Sequence, residues 1–350
     1  MGDAQLGDLE KEVPAAHLPF FSTEARENQS HHLYQPITTL RNPDRLCCRK
    51  HEKLKESIMR GFALRGVHYM GLVLLLALSN QVLAAEVNWP RMTESADGVA
   101  IAYEVQGSGE PTLVFIHGWS SDGRYWRGQL PYFSQSHRVI TIDLAGHGHS
   151  GLGRDAFTMP AFGEDVKAVL DALEVERAIL IGHSMGGPVS VEAARLMPER
   201  VIGIVGVDTF HHVASEISQA QRDEMLEPLQ QDFSPAARQF VASMFIDSTD
   251  SELRDWVMHD IAAAPPEVAI NAMDDMLSRH ADGEAARHFE ELTIQVVAIN
   301  ADLWPTDLEA NRQLQPEFNA VIMEESDHFL HMAKPAAFNR ELERMIGTPP

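Results

Sequence analysis

The feature that most constrains this chain is a series of unbroken apolar runs, each too short for an ordinary helix: "PTLVFIHG" (111–118), "HRVITIDLAGHG" (137–148), "RAILIGHS" (177–184), "RVIGIVGVD" (200–208) and "IQVVAIN" (294–300). Successive side chains of a strand point to opposite faces, so a run apolar at nearly every position needs two dry faces. A sixth run, "GVAIAYEVQG" (98–107), alternates instead, as a half-buried strand does. Between the runs lie helical stretches. "FGEDVKAVLDALEV" (162–175) puts Val166, Val169, Leu170 and Leu173 on one stripe, and "GPVSVEAARLM" (187–197) reads as a second helix. Strands alternating with helices predict an α/β fold, a parallel sheet covered on both faces.

The alternation stops at residue 211. Residues 211–290 are rich in Ala, Glu, Gln, Met and Asp, and "AQRDEMLEPLQQ", "PAARQFVASMF", "SELRDWVMHDI" and "EVAINAMDDML" each read as an amphipathic helix, punctuated by Pro235, Pro265 and Pro266. Strands resume at 294–300 and at "NAVIM" (319–323), and "PAAFNRELERMI" (335–346) closes the chain as a helix. A helical segment over 211–290 is therefore inserted into an α/β core formed by 86–210 and 291–350.

The first 85 residues differ. Residues 1–58 show no sustained period and predict no packed core, consistent with a disordered or misassigned upstream segment. Residues 59–85 have the form of a secretory signal: Arg60 and Arg65, an apolar stretch from Met70 to Leu78, and small residues before Glu86. The expected start is then Met59, with export to the periplasm or medium. The rival reading is a membrane anchor formed by the uncharged residues 66–85 if they stay uncleaved. Cys47 and Cys48 lie upstream, so a chain beginning at Glu86 has no disulfide, thiol nucleophile or cysteine-ligated metal.

The formal charge is −23, and residues 1–85 carry 10 basic against 9 acidic residues, so the excess acid lies in 86–350. Such a surface repels phosphate backbones and argues against a nucleic-acid partner.

Gly182-His183-Ser184-Met185-Gly186 stands where a predicted strand gives way to a helix. A sharp turn there lifts the serine clear of the sheet, and flanking glycines leave room for it. Ser184 needs a base, and His328 in "EESDHFLHM" follows the last predicted strand, on the same sheet edge. The N–H of Met185 at the helix start, and that of Trp119 in "IHGWSSDGRYW", are placed to hold an oxyanion. His117, His147 and His331 read as structural residues. His211 and His212 read as a poor metal pair, since adjacent residues of a strand face opposite ways.

"FIHGWSSDGRYW", "DLAGHGHSG", "IGHSMGG" and "DHFLHMAKPAAFN", in that order, resemble the α/β-hydrolase fold family, specifically its cap-bearing serine esterase branch, from about residue 91 to 346. The resemblance implies a predominantly parallel eight-stranded sheet with helices on both faces, a helical cap at 211–290, a Ser-His-acid triad and no cofactor or metal. It also implies a small-molecule ester substrate cleaved through an acyl-enzyme. Dehalogenases and epoxide hydrolases of this fold carry Asp where Ser184 stands. The acid departs from the pattern: "INADLWPTD" puts Trp304 near the expected Asp, with Asp302 and Asp307 on either side. Asp302 is favoured; Asp208, ending an earlier strand, is the alternative, and Asp307 suits a helix cap. The same triad serves C–C bond hydrolases, lactonases, amidases and perhydrolases, and receptors of this fold keep a triad with vestigial turnover. Met225, Leu226, Phe240, Met244, Phe245, Trp256, Met273 and Met276 are candidate pocket walls, with helix-packing core as the alternative favoured for such apolar positions. N-terminal sequencing of the exported protein is expected to read from Glu86; a product beginning at Met1 overturns the cleavage.

Overall fold

The computed structural model describes residues 90–347, so the expectations for 1–58 and 59–85 lie outside the described residues. None of the described helices is long and apolar enough to cross a membrane. Eight strands form one sheet: β1 (Arg91–Glu94), β2 (Ala100–Gln106), β3 (Thr112–Ile116), β4 (Val139–Asp143), β5 (Ala178–His183), β6 (Val201–Val207), β7 (Gln295–Ala301) and β8 (Asn319–Met323). Their order is β1-β2-β4-β3-β5-β6-β7-β8. β2 runs antiparallel to β1 and β4, and every other pairing is parallel, as the apolar runs require.

All residues of β3, β4 and β5 are buried, and their alternate side chains supply two separate cores. Val114, Ile116, Ile140, Ile142 and Leu180 pack against Phe162, Val166 and Val169 of α2 (Met159–Ala172) and Val189 and Ala193 of α3 (Gly186–Leu196). Leu113, Phe115, Val139, Ile179, Ile181 and Val205 face the other way, onto Trp126, Phe133 of α1 (Leu130–Phe133) and Phe338 and Leu342 of α10 (Pro335–Gly347).

Five helices stand between β6 and β7: α4 (Gln219–Gln231), α5 (Phe233–Ala242), α6 (Ser251–Ile261), α7 (Pro266–Ala281) and α8 (Glu284–Glu290). The first opens with a capping box, in which Ser218 accepts from the Gln221 backbone while the Gln221 side chain accepts from the N–H of Ser218. Leu226, Leu229, Phe233, Val241, Val257 and Ile261 join the core on the α2 and α3 face. Sequence patterning anticipated four of these helices; α8 and strand β1, both short and largely polar, carried no periodic signal.

Register places the functional edge. Ile116 pairs with Gly182, His183 with Val207, Val207 with Ile299, and Ala301 with Met323. The carboxyl ends of β3, β5, β6, β7 and β8 therefore finish side by side, where ligands gather in open α/β sheets. Because Phe338 is fully buried between helix and sheet, Phe338→Ala is expected to lower unfolding free energy by about 3–5 kcal/mol. Leu152→Ala at an exposed position is expected to change it by less than about 0.5 kcal/mol, both read by denaturant titration.

Candidate active site

The chain between β5 and α3 is a steric solution with little slack. Ser184 has φ +50°, the left-handed region that side chains rarely enter. A Cβ on Gly182 would lie 2.1 Å from the Gly186 carbonyl oxygen, and one on Gly186 would lie 2.4 Å from that of Ile116. Only glycine lets the first turn of α3 pass so close to β3 and β5. The bend is locked by Ser184 N–H donating to Val207 O (2.9 Å) and Gly187 N–H donating to Ser184 O (2.9 Å). Strain of this kind persists where the surroundings over-determine it, often at functional sites.

The loop after β3 lies directly against this bend. A Cβ on Gly118 would sit 2.8 Å from His183 Nδ1 and 3.3 Å from Ser184 Cβ, which sets the neighbouring Trp119 beside the serine. The Trp119 indole N–H donates to the Ala269 carbonyl in α7 (2.7 Å), tying that loop to the inserted helices. Met185, buried at the N-cap of α3, follows the serine immediately.

His328 is held at three points. Its carbonyl accepts from His183 Nε2 (2.8 Å), its N–H donates to Met244 O (3.1 Å), and its Nδ1 donates to Asp208 Oδ2 (2.5 Å). Asp208 follows β6, has φ +46° and an unexposed side chain, and its Oδ1 accepts from the Ala301 N–H in β7 (2.8 Å). Such a carboxylate fixes the ring tautomer and leaves Nε2 free to accept a proton.

The expectation favouring Asp302 is corrected here. Asp302 lies at the surface and accepts the N–H groups of Ser326 (3.0 Å) and Glu325 (2.8 Å). Those two backbone bonds hold its carboxyl below the usual aspartate range. It shapes the turn leading to His328 without touching the ring, and Asp208 takes the contact. Asp307 caps α9 (Leu308–Leu314) by accepting from Ala310 N–H (2.9 Å). Trp304, at the slot where an acid was sought, sets its ring 5.4 Å from that of His328.

Ser184 and His328 line two cavities together. The larger, about 380 Å³, runs past Asp208, Phe210, Met244, Met276 and Phe289; the smaller, about 50 Å³, is walled by Trp119, Phe240, Met273 and Phe329. Of the candidate walls, Phe240, Met244, Met273 and Met276 line these spaces, and the others lie elsewhere. Met225 is exposed, Leu226 is in the core, Phe245 stacks on Phe329 at 5.1 Å, and Trp256 packs on Tyr125 at 5.0 Å. His211 and His212 stand in a loop beyond β6 and not in the expected strand, and both line the larger cavity.

Residues 111–249 match the model of the α/β hydrolase fold. A 3-oxoadipate enol-lactonase of Acinetobacter baylyi is 27% identical over 73% of this chain and 96% of its own. A pimeloyl-[acyl-carrier protein] methyl ester esterase of Aeromonas hydrophila is 26% identical over 71% of this chain and 100% of its own. A thermophilic esterase of Thermogutta terrifontis superposes with a TM-score of 0.65 at 22% identity, over 74% of this chain and 98% of that one.

Four further histidines are buried around the centre. His117 donates through Nδ1 to Gly118 O (2.8 Å) and accepts from Leu144 N–H at Nε2 (3.1 Å), which fixes it as a neutral ring bracing the turn. His147 contacts Ala145 O through Nδ1 (3.0 Å), and His331 stacks between Trp126 and His183, at 4.5 Å from each. Burial lowers all four, with neighbouring charge adding to it at His147, His183 and His331: His147 and His331 fall to about 3, and His117 and His183 also drop from 6.5. In the unfolded chain these rings charge near 6.5, so below that pH the unfolded state binds more protons. Their contribution is intact above 6.5 and is lost as pH falls toward 3. Denaturant titrations are expected to show a stability slope of about 1.4 kcal/mol per pH unit for each such ring. His331→Phe is expected to reduce that slope by one ring's share.

Proposed function

We propose that this chain, which belongs to the α/β-hydrolase fold family, is a serine hydrolase that cleaves carboxylic esters, with Ser184 as nucleophile, His328 as base and Asp208 as the acid that orients it. The observation carrying the reading is the 2.5 Å bond from His328 Nδ1 to the buried Asp208, on a ring that shares both cavities with Ser184. The enol-lactonase and methyl ester esterase relatives act on cyclic and linear esters, and the same chemistry serves both. Steady turnover, and not the geometry of the triad, separates this reading from a receptor that keeps a vestigial triad. The helices α4–α8 are the cap in this reading, with Trp119 and Met244 joining them to the reacting groups.

In the first half-reaction His328 Nε2 takes the Ser184 hydroxyl proton as the oxygen attacks the ester carbonyl. The N–H groups of Trp119 and Met185 hold the negative oxygen of the tetrahedral intermediate. As it collapses, the C–O bond to the alcohol breaks and His328 returns the proton to the leaving oxygen. Water then attacks the acyl-serine, giving its proton to His328, and the acid departs as Ser184 regains its hydrogen. Asp208 stays ionised throughout and stabilises the imidazolium formed in each half. Export as a cleaved secretory protein is part of the same proposal, and so is the absence of a nucleic-acid partner.

Steady hydrolysis of p-nitrophenyl acetate and labelling by a fluorophosphonate are expected of the wild-type protein. Ser184→Ala is expected to abolish labelling and remove about 10⁶ of the rate enhancement. Asp208→Asn is expected to lower kcat by about 10⁴. Asp302→Asn is expected to stay within about tenfold, since that residue acts on the turn and not on the ring. A large loss for Asp302→Asn with none for Asp208→Asn overturns the assignment of the acid.

A further inference from the structure

The larger cavity has two unusual wall groups. Its surface includes long apolar stretches from Met159, Val191, Val213 and Met276, yet His211 and His280 also line it. Neither His211 Nε2 nor His280 Nδ1 has a hydrogen-bond partner among the described residues, although both atoms are buried. The nearest polar group recorded for His211 Nε2 is Asp208 Oδ1 at 3.6 Å, beyond bonding distance. Burial lowers both rings from 6.5; His211 Nδ1 already meets Thr306 Oγ1 at 3.3 Å and His280 has a backbone partner in Ser215, so each ring offers the cavity its one unpartnered nitrogen, a donor or an acceptor according to tautomer.

Charge does not explain the pair. Arg279, also on the wall, is neutralised inside the protein by Glu192 and by Glu284 at 3.2 Å, and the Glu192 carboxylate takes His288 Nδ1 at 2.7 Å. Among the described residues lining the cavity, a ligand carboxylate meets no uncommitted cation and faces Asp208 and Glu192. A plain hydrocarbon chain strips water from both imidazoles and replaces it with nothing. A hydroxyl group fits either tautomer of either ring, because it donates and accepts at one atom.

Resting on the ester-hydrolase reading above, we propose that the larger cavity takes the bulky half of an ester that carries a neutral hydroxyl group, so that hydroxylated chains are bound and cleaved in preference to plain alkyl chains of equal length. The two cavities divide the ester. The smaller space, about 50 Å³, admits a group no larger than a short alkyl, and the larger, about 380 Å³, is of a size with small-molecule sites. In a methyl ester the acyl chain is the only bulky half and must occupy the larger cavity.

The test compares methyl hexanoate with methyl 5-hydroxyhexanoate and methyl 6-hydroxyhexanoate. For the wild-type protein, kcat/KM is expected to favour at least one hydroxylated ester by about tenfold or more. His280→Phe, checked for folding by its melting temperature, is expected to bring that ratio to about one. Calorimetric binding of the three esters to Ser184→Ala reads the same preference without turnover. Equal or weaker binding of both hydroxylated esters to Ser184→Ala overturns the proposal, whether or not the wild-type protein hydrolyses esters. Preferential binding with no hydrolysis of any ester by the wild-type protein upholds the cavity's specificity and overturns the hydrolase reading instead.

Discussion

A carboxylate removed from water must be met by hydrogen bonds, and the buried Asp208 is the point at which that requirement organises the site. One oxygen is satisfied by the Ala301 N–H, which anchors the end of β6 to the end of β7; the other is satisfied by His328. The imidazole is thus held against the rigid centre of the sheet, although it belongs to a loop. The loop gains further support from Asp302, whose carboxylate gathers the N–H groups of Glu325 and Ser326. Two aspartates therefore serve the same histidine by different means, one through its ring and one through the shape of the chain before it.

The inserted helices contribute to the same geometry. The Met244 carbonyl receives the His328 N–H, and the Ala269 carbonyl receives the Trp119 indole. The groups flanking Ser184 are each tied to the segment that interrupts the sheet. A change in how α5 or α7 packs reaches Trp119 and His328 through two backbone carbonyls and not through side-chain bulk alone.

The sheet was legible because its physics is repetitive. Runs such as "VITID" and "AILIGH" must be dry on both faces, and that pattern survives in the sequence without any knowledge of partners. Strand β1, "RMTE", is an edge strand with exposed or half-exposed residues, so no hydrophobic signal marks it. The bend that carries Ser184 was legible because it is flanked by glycines whose positions have no room for a Cβ, and the place of His328 because it follows the last strand. The acid was not, since the choice between Asp208 and Asp302 depends on which carboxylate faces a ring 120 residues from the first of them. The one available clue was that Asp208 ends a fully apolar strand, where an unpaired charge is costly. His211 and His212 were also misplaced, because "FHHV" was taken as extended chain when it is an irregular loop.

The bond between His183 and the carbonyl of His328 spans 145 positions of the chain. A ribosome completes the strand that displays Ser184 long before it makes His328, and contacts between such distant segments are late and slow to form. While it is being synthesised, or threaded unfolded through any pore, this polypeptide carries Ser184 without its later neighbour. On the mechanism proposed above, any chemistry of that serine waits for completion of the chain.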